Sequence, residues 1–260
     1  TLVVGYPSLL LALSLGAKSG WTSFYVLLWF SLSVLGLFSF TVTEFRAKSP
    51  LIRPSFFKSI PLSAALLSLA LNSGVHYPIF MLGPLYMQNV LGFSPLVIGL
   101  VATTLPLLTA VTSPVSGRLA DRMDARSVAA VGLFFTLLGI FIYSRFGVDS
   151  SYLLILSSFA LIGVGIGFFI PANQRVAFST VSREDYGILS AMLSSFGPAA
   201  GTIGIALTVA LLEGTMTGNA VQDPIAFSNA QQFAFSSLLP FAVIAIFVCL
   251  AGKWKRATKT

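Results

Sequence analysis

An all-α integral membrane protein is the fold class this sequence predicts, and three observations carry the prediction. Hydrophobic residues fill 56% of the 260 positions, while Asp, Glu, Lys and Arg together fill only 9%. That balance leaves more apolar surface than one water-soluble core can hide. Long apolar runs recur from one end of the chain to the other, most of them near the roughly twenty residues a helix needs to cross a bilayer. The charged residues gather between those runs, so the net charge of +7 reads as a set of membrane-edge markers and not as a nucleic-acid surface.

Eight helices are predicted, at residues 2–16, 24–43, 59–88, 94–116, 127–144, 151–173, 187–212 and 233–252. The first is short for a crossing, and the chain opens at Thr1 without an initiator Met or a basic leader. The expectation is therefore that the chain begins inside a longer one. The second run ends at Glu44, where EFRAKSPLIRPSFFK brings charge and two prolines. The third, SIPLSAALLSLALNSGVHYPIFMLGPLYMQ, carries Asn72 and His76 near its middle, four apart and so on one helical face. Gly74 and Pro78 beside them loosen the backbone and allow a bend. The fourth run stops at GRLADRMDARS, the fifth at RFGVDS, the sixth at QRVAFSTVSRED and the seventh at EGTMTGNAVQDPIAFSNAQQ; the eighth is followed by KWKRATKT.

If the eight helices alternate, four groups of basic residues share one side: Arg46, Lys48, Arg53 and Lys58; Arg118, Arg122 and Arg126; Arg175 and Arg183; Lys253, Lys255, Arg256 and Lys259. Only Lys18 and Arg145 lie opposite, so the crowded side is expected to be cytoplasmic. One helix more or fewer in mid-chain would scatter these residues over both faces.

Several function classes are excluded by what the spans lack. A membrane enzyme needs clustered His, Asp or Glu at a membrane face, against one His and eight scattered acids here. A channel needs polar or charged rings, which the spans do not offer. The lone Cys249 allows neither a disulfide framework nor a cysteine-based metal site within one chain, and a single His is too little for a metal site of its own. No Asp, Glu, Lys or Arg lies deep in a span, so the chain is poor in groups that relay protons or ions. Asn72 and His76 either hydrogen-bond to neighbouring helices or line a substrate path, in which Tyr77 and Tyr86 would supply aromatic wall.

The order of residues in Gly117-x-x-x-Asp121-Arg122-x-x-x-Arg126 is more specific than its charge. It resembles the signature loop of the major facilitator superfamily, Gly-x-x-x-Asp-Arg/Lys-x-Gly-Arg-Arg/Lys, found between the second and third helices of a six-helix half. It departs at Asp124, where the family prefers Gly, and at Ala125, where it prefers Arg. With helices three to eight taken as that half, the stretch falls at the required position. Two helices remain in front, joined through RAKSPLIRPSFFK, and PLYMQNVLGFSPLVIGL (Pro84 to Leu100) follows. Both features resemble the fourteen-helix drug:proton antiporters of the superfamily.

The resemblance implies a domain plan: 1–58 as two linker helices and a cytoplasmic connector, 59–252 as a C-terminal six-helix transmembrane half, and 253–260 as a basic cytoplasmic tail. It implies that Asp121, with Arg118, Arg122 and Arg126 around it, pairs with a nearby Arg and with a helix N-terminus of the opposite half. The pairing would latch the cytoplasmic side with about 1–2 kcal/mol; the alternative is that these are plain orientation charges. In SSFGPAAGTIGIAL, Gly197 and Gly201 have small-xxx-small spacing and Pro198 can bend the helix. The run is either ordinary packing or, by its likeness to the antiporters' Gly-Pro motif, part of a rocking motion. The implied function is proton-driven efflux of hydrophobic or amphipathic small molecules across the plasma membrane. The proton gradient would be the energy source, with no cofactor and no nucleic-acid partner, and an N-terminal half would carry the coupling acids. A non-transporting membrane scaffold and a half-size dimeric transporter are the alternatives.

Overall fold

The computed structural model describes residues 5, 7, 8, 11, 12, 15, 23–46, 56, 58–216 and 223–251. The chain divides into two compact units, Thr1–Pro54 and Ser55–Thr260. The first holds helix α1 (Phe24–Arg46), which presents Phe24, Tyr25, Leu35 and Phe38 outward. Of the helix predicted at 2–16, the structure describes six positions, all helical. The tail 253–260 lies outside the described residues.

The second unit is a bundle of six helices: α2 (Ile60–Asn89), α3 (Pro95–Arg122), α4 (Ala125–Tyr143), α5 (Tyr152–Phe178), α6 (Tyr186–Thr215) and α7 (Pro224–Ala251). Each is long and apolar enough to cross a membrane. Their starts are written locally. Pro95 and Pro224 open α3 and α7, where a missing N–H costs nothing. Asp124 and Ser151 accept hydrogen bonds from Arg126 N and Leu154 N at the heads of α4 and α5, and Asp223 Oδ1 accepts from Ile225 N at 2.9 Å.

Three helices outrun their apolar stretches. α3 continues to Arg122 instead of stopping at 116, α5 continues to Phe178 instead of 173, and α7 begins at Pro224 instead of 233. The charged stretch is thus mostly the last turns of a helix, and only Met123 and Asp124 separate α3 from α4. Apolarity marks the roughly 30 Å hydrocarbon layer, whereas a helix of 28 residues extends about 42 Å. The surplus turns reach water, where charged side chains are solvated.

α5 packs on α3 and α4, α2 packs on α6 and α7, and α4 meets α7. This pattern maps onto itself when each helix moves three places along the chain, so α2–α4 and α5–α7 take equivalent places in the packing. Such equivalence is common in transporters. A sequence signal accompanies it: Gly74-x-x-x-Pro78 in α2 and Gly167-x-x-x-Pro171 in α5. Pro has no N–H to return to the carbonyl four residues earlier, and at both places a neighbouring helix closes in. A Cβ on Gly204 of α6 would stand 2.6 Å from the Gly74 carbonyl carbon, and one on Gly167 would stand 2.9 Å from the Thr109 carbonyl oxygen of α3. On the other side of α5, a Cβ on Gly132 of α4 would stand 2.7 Å from the Gly165 carbonyl oxygen. Glycine at these crossings lets backbones touch where lipid supplies no hydrophobic drive for helix association.

Candidate functional site

A cleft of about 220 Å³ opens where α2, α5 and α6 meet. α2 lines it with Leu69, Asn72, Ser73, His76 and Tyr77; α5 adds Ile170, Asn173 and Gln174, and α6 adds Leu193, Ser194, Gly197 and Pro198. Asn72 and His76 are buried on one face of α2, as their spacing predicts. His76 Nδ1 lies 2.7 Å from the Asn72 carbonyl oxygen. A carbonyl only accepts, so Nδ1 donates, and in a neutral ring Nε2 is left as an acceptor. Asn173 ties α5 to α2: its Nδ2 donates to the Ala65 carbonyl at 3.0 Å, and Ser68 Oγ donates to its Oδ1 at 3.3 Å. The lining mixes amides, hydroxyls, an imidazole and a phenol with aliphatic surface, and contains no carboxylate, Lys or Arg. Such a wall suits an apolar molecule that carries a few uncharged hydrogen-bonding groups.

Five of the sequence-predicted residues converge here: Asn72, His76, Tyr77, Gly197 and Pro198. Gly201 stands behind Tyr77, against its ring. Tyr86 does not join them. Its side chain is in the hydrophobic core, stacked on Phe146, with its hydroxyl donating to the Gly147 carbonyl at 2.6 Å. A phenol in a buried position satisfies its O–H wherever a carbonyl is in reach, and the α4–α5 turn supplies one.

The charged stretch lies one step from the cleft. Asp121, near the end of α3, forms an ion pair with Arg175 of α5. Their side chains are 62% and 46% exposed, which places this pair by itself at about 0–1 kcal/mol. Arg126 turns back to Asp124, Nε to Oδ1 at 3.4 Å, while Arg118 and Arg122 are exposed. No glycine is needed at 124, because Met123 and Asp124 take extended backbone and the turn closes without a positive φ. Gly117 has open space where a Cβ would sit, so nothing among the described residues requires it to be glycine.

Sequence reasoning missed Asn173, Gln174 and Arg175 as site residues. The signal was present as a polar run closing an apolar helix, but Arg175 read only as an orientation charge.

Residues 62–259 match the sequence profile of the Major Facilitator Superfamily. The chain belongs to that family. Six membrane-length helices and this membership make it an integral membrane protein. This facilitator chain is 28% identical over 227 residues to the multidrug transporter protein MdtP of Bacillus subtilis, covering 86% of the chain and 42% of the relative. It is 26% identical over 230 residues to the multidrug resistance protein Stp of Mycobacterium tuberculosis, covering 86% and 43%. With the tetracenomycin C resistance and export protein of Streptomyces glaucescens it shares 27% over 215 residues, covering 81% and 39%. The facilitator chain therefore spans less than half the length of these relatives.

Proposed function

We propose that this chain is the C-terminal six-helix half, with two linker helices, of a fourteen-helix drug:proton antiporter. In this reading it exports hydrophobic or amphipathic small molecules by alternating access at the plasma membrane. The observation that carries the reading is three consecutive residues of α5. Asn173 is pinned to α2, Gln174 lines the cleft and Arg175 holds Asp121 of α3. A change at the charged end of the bundle is thus felt one residue away in the cleft wall. An ion pair worth about 0–1 kcal/mol biases two conformers without freezing either.

Other features support the same assignment. The cleft lining contains no carboxylate, so coupling to protons falls to acids in the N-terminal half. α3 is the least buried of the six membrane-length helices and α6 the next; with Gly117 unopposed, they are the surface on which the other half would rest. The end carrying Asp121, Arg126 and Arg175 is cytoplasmic by its basic residues.

Charge reversal tests the reading. In the transporter assembled with its N-terminal half, Asp121→Asn and Arg175→Gln should each lower gradient-dependent dye extrusion several-fold at unchanged abundance. The double variant Asp121→Arg with Arg175→Asp should recover part of the loss. Wild-type extrusion by both single variants would reduce the stretch to orientation charges.

A further inference from the structure

The cleft is smaller than its proposed cargo. About 220 Å³ falls below the roughly 300 Å³ at which drug-sized pockets begin, so the side chains bordering it decide how much of a molecule enters. One of them is held from behind. The Tyr77 ring lies directly on Gly201 of α6, where a Cβ would stand 2.8 Å from Cε1 and closer still to Cγ and Cδ1. His76 and Phe80 flank the ring edge to face, at centroid distances of 5.0 and 6.2 Å. Backbone bounds it on the α6 side, aromatic rings flank it, and the residue borders the cleft. Gly197, one turn earlier on the same helix, is different: a Cβ there would make ordinary contact with Ser73 Oγ at 3.4 Å and Leu69 at 3.7 and 3.8 Å.

We propose that Tyr77 is a specificity-determining wall of the cleft and that Gly201 is its positioning residue. The absence of a side chain at 201 gives the ring a seat outside the cleft; any side chain there drives the ring inward and narrows the space. This inference rests on the cleft being the substrate path. Its geometric part is open to measurement without transport.

The test uses the chain in membrane vesicles with Cys249→Ser and Ser194→Cys, which puts one thiol in the cleft lining, labelled with a small and a bulky maleimide. Gly201→Ala should lower the bulky-to-small rate ratio about tenfold, the range in which pockets discriminate by size. Gly214→Ala, on the same helix but away from the cleft and with nothing within 4 Å of its added Cβ, should leave the ratio unchanged, and Tyr77→Ala added to Gly201→Ala should restore it. Should Gly201→Ala fail to fold, Tyr77→Ala and Tyr77→Trp in the Gly201 background should raise and lower the ratio respectively. A ratio indifferent to residue 77 would overturn the proposal. In the transporter assembled with its N-terminal half, Gly201→Ala should also shift the ranking of extruded dyes toward smaller ones. An unshifted ranking in an active transporter would overturn the specificity role and leave efflux standing. Absence of gradient-driven extrusion by the wild type would sink the efflux reading instead, and the labelling ratio would still judge Tyr77.

Discussion

The Gly147 carbonyl accepts from Tyr86 Oη at 2.6 Å and from Ser150 N at 3.2 Å, and that pairing separates a structural tyrosine from one that meets a substrate. Tyr86→Phe deletes one hydrogen bond at a buried position and should cost about 1 kcal/mol. A lowered thermal midpoint in detergent, with unaltered labelling of a cleft thiol, is the expected result. A changed labelling ratio at unchanged stability would put Tyr86 back in the path. At this scale the sequence was partly legible. Asn72 and His76 stand out because they interrupt an apolar run and share a face. Asn173 did not stand out, because what defines it is contact with Ala65 and Ser68, more than a hundred positions away. Asp121 was legible through its motif, whereas its partner Arg175 was not, since an arginine at a helix end serves membrane orientation equally well.

Among the elements, helix existence was legible and helix length was not. Apolar runs report the hydrocarbon layer, while capping reports the helix, and the two diverge most at α3 and α7. Asp223 and Pro224 mark the true start of α7 nine residues before the apolar run, in a pattern the N-cap rules describe. Asp223→Ala should lower stability by about 1 kcal/mol, read as a thermal midpoint; no change would mean that the start of α7 is held by other contacts. The glycines divide by what they face. Gly204→Ala, set against the Gly74 backbone, should cost about 1–3 kcal/mol through overpacking and reduce the yield of folded chain. Gly117→Ala should leave the isolated chain as stable as before and lower transport only when the other half is present. Equal stability losses at 204 and 117 would contradict the placement of α6 against α2.

For the whole molecule, alternation of six helices places Lys58, Arg118, Arg122, Arg126, Arg175 and Arg183 at one end of the bundle and Arg145 at the other. A membrane-impermeant thiol reagent should reach a cysteine at Ser127 only from the cytoplasmic side and one at Asp149 only from outside. Labelling of both from one side would break the alternating arrangement. The three-plus-three packing of the bundle was only latent in the sequence, because the paired Gly-x-x-x-Pro segments gain meaning once α2 is seen against α6 and α5 against α3. Whether this bundle is one wall of a transporter whose other wall is a separate half, as proposed above, is decided by proton-gradient-driven extrusion of a fluorescent amphipathic dye from vesicles. Extrusion is expected when the chain is co-expressed with an N-terminal half and none from the chain alone, whereas robust gradient-dependent extrusion by the chain alone would show a half-size dimeric transporter and overturn the proposal.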